Sequence, residues 1–124
     1  MLSKSSVIAF VATKQPKRAK VFYQRVLGLK LLYEDPFAIV FNANGTTLRV
    51  QKVQEHTPLP YTALGWDVAD LRAELKQLSR KRIKALRFEH MTQDDLGVWD
   101  TPSGAKLAWF KDPDGNILSL TQFK

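Results

Sequence analysis

Few residues in this chain have types suited to chemistry. Its 124 residues include two histidines and no cysteine. Without cysteine there is no disulfide, no thiolate zinc site and no thiol nucleophile. Each histidine follows a glutamate, as Glu55-His56 and Glu89-His90, and such pairs can carry general acid–base catalysis. His56 falls in a connector and His90 at the end of a strand-like run, so both are read as surface residues. Asp67 is a weak catalytic candidate, since a general base would need desolvation there. An ion pair or a place near a helix start accounts for it more simply. Arg49 stands apart because it interrupts the middle of an alternating strand. A charge in such a place needs a partner. Asp67 and an anionic ligand gripped by the planar guanidinium are the two partners the sequence offers.

The elements that would position these residues follow from periodicity. Ser6–Thr13 is apolar and β-branched and reads as a buried strand. Pro16 suits the first turn of a helix. Ala19, Phe22, Tyr23, Val26 and Leu27 then recur at helical spacing, and Gly28 can end that helix in a left-handed conformation. Strands are predicted over 29–33, 37–41 and 47–53, with Asn42-Ala43-Asn44-Gly45 as a turn. A Pro-containing connector, 54–60, precedes a second run of the same order. This run has a strand over 61–68 and a helix presenting Leu71, Leu75 and Leu78. Strands follow over 83–88, 106–110 and 117–123. Asp112-Pro113-Asp114-Gly115-Asn116 forms the last turn. The fold class is therefore α+β, with two βαβββ modules of about 1–55 and 60–124 in one domain. The modules are expected to form a curled mixed sheet with one helix each on the outer face.

Strand parity assigns side chains to faces. Leu48 and Val50 point toward the helix, whereas Thr47, Arg49 and Gln51 point away. Leu118 and Leu120 form the helix-facing row of the last strand, with Ser119 and Thr121 opposite. In the fifth strand Leu64, Trp66 and Val68 share one face, and Ala63, Gly65 and Asp67 the other. If the sheet curls, the second rows line a pocket, although half-polar strands are ordinary in any sheet with one wet side. Of the three tryptophans, Trp66 and Trp109 are read as packing residues. Trp99 lies between a polar loop and a turn, where a pocket rim would fall.

Composition narrows the classes of function. The formal net charge of +7 suits anionic partners. Basic residues gather around the two helices, as Lys14, Lys17, Arg18, Lys20 and Arg25, and as Arg72, Lys76, Arg80, Lys81, Arg82 and Lys84. Solvated helix faces explain them better than a nucleic-acid surface, because no aromatic residue is expected to be exposed among them for base stacking. No apolar run approaches the ~18 residues of a membrane span. The opening residues lead straight into a strand and not into a signal peptide, so a cytoplasmic location is the expectation.

Two motifs carry a family resemblance. Phe22-Tyr23 with Val26-Leu27-Gly28-Leu29, and Phe110-Lys111-Asp112-Pro113-Asp114-Gly115-Asn116, resemble the vicinal oxygen chelate superfamily. That group includes glyoxalase I, extradiol dioxygenases and bleomycin-resistance proteins. The resemblance implies a paired βαβββ fold. In metal-dependent members it implies ligands on the first, fourth, fifth and eighth strands. Counting from the motifs puts those positions near Ile8, Arg49, Ala63 (or Thr62) and Ser119. None is a usual divalent-metal ligand, and Arg49 sets a cation where a cation would bind. The expectation is a metal-independent protein, without a cofactor, that binds an anionic small molecule. Thr47, Arg49, Gln51 and Ser119 would make its polar contacts, and Phe10 and Trp99 its apolar ones. A homodimer is expected because open sheets of this kind leave edges to cover. An enzyme of the same superfamily with a non-standard site is the alternative.

Overall fold

The computed structural model describes all residues from Met1 to Lys124. The chain forms two compact units, Met1–Pro58 and Leu59–Lys124. In the first unit the order is β1 (Ile8–Thr13), α1 (Pro16–Val21), a π-helical turn (Phe22–Val26), β2 (Lys30–Glu34), β3 (Ala38–Ala43) and β4 (Thr46–Lys52). The second contains β5 (Thr62–Asp67), α2 (Leu71–Arg80), β6 (Trp99–Asp100), β7 (Lys106–Lys111) and β8 (Ile117–Gln122). Each unit closes its own four-stranded sheet, ordered β1-β4-β3-β2 and β5-β8-β7-β6. In both, the first strand pairs parallel with the last, and the remaining pairs are antiparallel. The two sheets are the same arrangement made twice.

The first core forms because one face of β3 and β4 is apolar and the helix has a matching stripe. Ala19, Phe22 and Tyr23 are buried with Ile39, Phe41, Leu48 and Val50. The Tyr23 ring lies 6.0 Å from that of Phe41 and 5.2 Å from that of Phe22. Burying each large side chain contributes about 1.5–3 kcal/mol. An ion cluster clips the rim. Glu34 on β2 meets Lys52 of β4 at 2.7 Å and Lys20 of α1 at 3.1 Å. The predicted helix does not run evenly to Leu27. At Phe22 it widens, with the Leu27 amide bonded to the Phe22 carbonyl five residues back. This wider turn buries Phe22 and Tyr23 and leaves Val26 and Leu27 half-buried. Gly28 follows at φ +75°, as a chain reversal after a helix requires.

In the second unit Leu71, Leu75 and Leu78 are buried along α2. Asp70 caps the helix by accepting from the Ala73 amide at 3.1 Å. The 112–116 turn is held from within. Asp112 Oδ1 accepts the amides of Asp114 and Asn116, each at 2.9 Å, and Oδ2 accepts the Asn116 side-chain amide at 2.8 Å. These bonds satisfy a buried turn, so this motif is a structural one.

One predicted strand is wrong. Residues 83–88 are not a strand, and the outer place beside β7 goes to Trp99–Asp100. Two of their backbone groups, the Phe88 amide and the Leu86 carbonyl, are met by a side chain. Gln93 Oε1 accepts the Phe88 amide, and Gln93 Nε2 donates to the carbonyls of Leu86 and Gly97, all at 2.9 Å. One ladder-like bond remains, from the Leu86 amide to the Trp109 carbonyl at 2.7 Å. β-Propensity measures fit to a pleated surface, and here a single glutamine takes the place of part of the ladder.

Gly97 is the tightest point of this region. Its φ is +95°, and a Cβ there would stand 2.4 Å from the Cβ of Ala85. Gly97→Ala adds backbone strain to overpacking and is expected to cost about 3 kcal/mol. Urea unfolding of wild type and variant measures this; an unchanged midpoint would contradict it.

Candidate functional site

The free face of the first sheet is defined by register. Phe10 of β1 pairs with Arg49 of β4, which in turn pairs with Val40 of β3. Val40 pairs with Tyr33 of β2. These four side chains form one row across the sheet, on the face opposite Leu48 and Val50. Arg49 spans β3: its Nη1 donates to Tyr33 Oη at 3.2 Å. Val40, between them in register, is buried. Thr47 and Gln51 lie in neighbouring rows on the same face, Thr47 half-buried and Gln51 exposed. Phe10 is 55% exposed. The structure therefore sets Thr47, Arg49 and Gln51 on one face, as parity predicted, and adds Phe10 to it through the β1–β4 register.

Arg49 takes part in no ion pair. Its partner is a neutral hydroxyl from its own unit, so the guanidinium keeps its charge and most of its five N–H donors. The expected partner Asp67 belongs to the other unit, where it is exposed. The desolvation on which a general base depends is missing there. The nearest acids in the first unit are engaged. Hydrogen bonds from Lys52 and then Lys20 hold the Glu34 carboxyl below its ordinary range. The amides of Phe37 and Ala38 do the same for Asp35, with smaller help from the charge of Arg49.

The free face of the second sheet is aromatic. Trp109 pairs with Ser119, and Ser119 with Gly65. Trp99 stacks on Trp109 at 6.2 Å, Phe88 meets Trp109 edge-on at 5.5 Å, and Trp109 Nε1 donates to Thr62 Oγ1 at 3.1 Å. Ser119 is buried. Gly65 leaves room for it, since a Cβ at Gly65 would fall 2.4 Å from Ser119 Oγ. Ser119 and Trp99 thus share this second face and belong to a different unit from the Arg49 set. Trp109, read from sequence as a packing residue, lies in the free-face row. Applying parity to β7 as well as to β4, β5 and β8 would have found it. Tyr33 could not be counted into its row, because a bulge between Leu31 and Tyr33 breaks the alternation of β2. A second bulge, between Thr62 and Leu64, puts Thr62 rather than Ala63 in register on the free face.

Of the two histidines, His90 is exposed and His56 half-buried. The basic clusters lack exposed aromatic partners in the first helix, where Phe22 and Tyr23 are buried. Lys20 and Arg72 are engaged in ion pairs with Glu34 and Asp94. No helix is long and apolar enough to cross a membrane.

The family model for the Glyoxalase/Bleomycin resistance protein/Dioxygenase superfamily matches residues 6–120. The chain belongs to this superfamily. Solved structures agree on the fold. A bleomycin resistance determinant encoded on the transposon Tn5 is 17% identical, with 98% of this chain and 99% of that one covered and a TM-score of 0.76. A lactoylglutathione lyase from Agrobacterium tumefaciens is 17% identical over 97% and 95% of the two chains, at a TM-score of 0.70. A glyoxalase/bleomycin resistance protein/dioxygenase from Alicyclobacillus acidocaldarius is 17% identical over 97% and 92%, at 0.71. No curated protein matches the sequence.

Metal-dependent members of this superfamily make a metal test necessary. At the four positions expected for ligands stand Ile8, Arg49, Thr62 or Ala63, and Ser119. With Thr62 in register, two hydroxyls, one aliphatic side chain and a guanidinium do not make a divalent-cation donor set. Nowhere do three His, Cys, Asp or Glu residues gather as a metal site would need. The residues do not fit the group.

The clip around Glu34 makes a pH prediction. A carboxyl whose pKa falls on folding adds stability above its unfolded value, and that stability is lost as pH drops through the folded value. The loss therefore begins near the ordinary value of 4.5 and grows below it. Glu34→Gln is expected to cost less than about 1 kcal/mol at neutral pH, since the pair is solvent-screened. It should flatten the acid limb of a thermal-melt series between neutral pH and pH ~3. An acid limb as steep as wild type would contradict the assignment.

Proposed function

We propose that the free face of the first sheet binds a small organic anion without a metal, with Arg49 as its charge contact. One observation carries this reading: Arg49 is set in the middle of a sheet row, held by the neutral hydroxyl of Tyr33, and in no ion pair. Thr47 and Gln51 supply hydrogen-bonding groups beside it, and Phe10 an apolar wall. A planar guanidinium with unused donors suits a carboxylate or a phosphate ester, which it grips in bidentate fashion. Trp99 and Ser119 lie in the second unit and form no part of this row. Superfamily membership supports small-molecule binding. The bleomycin resistance determinant among the similar structures carries its activity in its own name, and the net charge of +7 here favours an anionic ligand. The exposed acid Asp67 gives an enzymatic reading less support than the Arg49 row gives binding.

The proposal extends to a cytoplasmic homodimer. β1 is a sheet edge; Ile8 and Phe10 on it are 51% and 55% exposed, and Val7 just before it is 73% exposed. Long apolar edges are covered in stable proteins. Sedimentation equilibrium should give twice the chain mass, and a monomer at all concentrations would remove this part.

A thermal-shift screen of small carboxylates and phosphate esters tests the site. A true ligand at 100 times its Kd should stabilise wild type by about 2.7 kcal/mol. Arg49→Ala should abolish that gain while Tyr33→Phe keeps most of it. Equal shifts for wild type and Arg49→Ala would remove Arg49 from the site.

A further inference from the structure

A cavity of about 370 Å³ lies in the second unit, away from both free faces in the sense that α2 forms one wall. Leu75 and Ser79, one helical turn apart, supply that wall. Ile83, Lys84, Ala85 and Arg87 supply the facing one, and Asp95 with Leu96 close the end. Its size falls at the lower end of small-molecule sites.

The walls are built rather than accidental. At the end of α2 the chain reverses through Arg82, a non-glycine residue at φ +64°. Such a conformation persists only where the surroundings over-determine it. Three amides, of Lys81, Arg82 and Ile83, bond back to carbonyls of Leu78 and Ser79. The facing segment is then held by Gln93, as described above, and by Arg87. Arg87 donates through Nη1 to the Asp94 carbonyl and through Nη2 to the Asp95 carbonyl. Gly97 packs so closely on Ala85 that a methyl group would not fit. The 94–98 loop is in turn fixed by Asp94, whose Oδ1 accepts the amides of Leu96 and Val98 at 2.9 Å each, with Arg72 paired to Oδ2. Burial raises the Asp94 pKa, but the Val98 and Arg72 hydrogen bonds outweigh it and hold the group ionised below its ordinary range.

The lining is amphipathic with excess positive charge. Leu75, Ile83, Ala85 and Leu96 are apolar. Arg87 spends its bonds on main-chain carbonyls, which orient the guanidinium without neutralising it, and it joins no ion pair. Lys84 makes no ion pair either, and Asp95 is the one acid of the lining. A cation would meet two like charges. A neutral apolar molecule would meet the apolar part of the lining and leave both charges without a partner. An anion with an apolar body satisfies both parts of the lining.

We propose that this cavity is a second ligand site, distinct from the Arg49 face, for an organic monoanion with an apolar body, such as an arylalkyl carboxylic acid. Its apolar part would lie among Leu75, Ile83 and Leu96, and its carboxylate between Lys84 and Arg87, with Ser79 as a further donor.

Amide-resolved NMR titration with 4-phenylbutyrate, and with its neutral amide as control, tests this. The carboxylate should shift residues 79, 83–87 and 95–96 saturably, and the amide should bind at least ~10-fold more weakly. Lys84→Glu should weaken carboxylate binding by a similar factor. Ser79→Trp, at an exposed helix position, should fill the cavity and abolish the shifts while the rest of the spectrum is retained. Shifts confined to residues 47–51, no shifts at all, or equal binding of acid and amide would each overturn the proposal. Should Ser79→Trp fail to fold, Lys84→Glu decides alone: undiminished binding in that variant contradicts the site.

Discussion

Alternation along β4 underlies the functional account. Leu48 and Val50 are buried against the helix side of the sheet, and a strand cannot turn two successive side chains to one face. Thr47, Arg49 and Gln51 are thereby committed to the other face. A one-residue slip would place a guanidinium in the core and two aliphatic chains in water, so the register is strongly specified. The same constraint works through β8, where burying Leu118 and Leu120 sends Ser119 to the opposite side. Chemistry collects on one face of each sheet because the helices claim the other.

Within that frame each unit stabilises its own sheet and presents a different surface. The first joins a cation to a tyrosine across a buried valine. The second stacks two tryptophans beside a serine that only a neighbouring glycine accommodates. The Glu34 clip lies on the helix side of the first unit and ties strand ends to α1, so its charges are spent on structure. Arg49 has no such acid of its own, and this difference separates a structural ion cluster from a candidate binding group. Superfamily membership accounts for the scaffold. At the positions expected for metal ligands, Ile8, Arg49, Thr62 and Ser119 do not form a divalent-cation donor set.

Much of this was legible in the sequence, for identifiable reasons. The strands β4 and β8 and the helix α2 follow a simple period and obey it in the structure, whereas the apolar run of β1, read as buried, leaves Ile8 and Phe10 exposed because it is a sheet edge. The Arg49 row was readable because nothing interrupts β4. What escaped reading depended on distant or irregular events. Bulges in β2 and β5 hid Tyr33 and exchanged Ala63 for Thr62, and no local signal marks either. Residues 83–88 have strand-like composition, but Gln93 captures two of their backbone groups. The π turn at Phe22 is set by tertiary packing of two aromatic rings and not by helical propensity. Trp109 is a different case, since parity on β7 would have placed it.

The most direct test is to observe Arg49 itself. The Nε–H resonance of its side chain can be followed by NMR while acetate, benzoate and inorganic phosphate are added in turn. The account predicts a saturable shift of that resonance for at least one of these anions, together with the amides of Thr47 and Gln51. An Arg49 resonance that stays in place while anions perturb other arginines would contradict it.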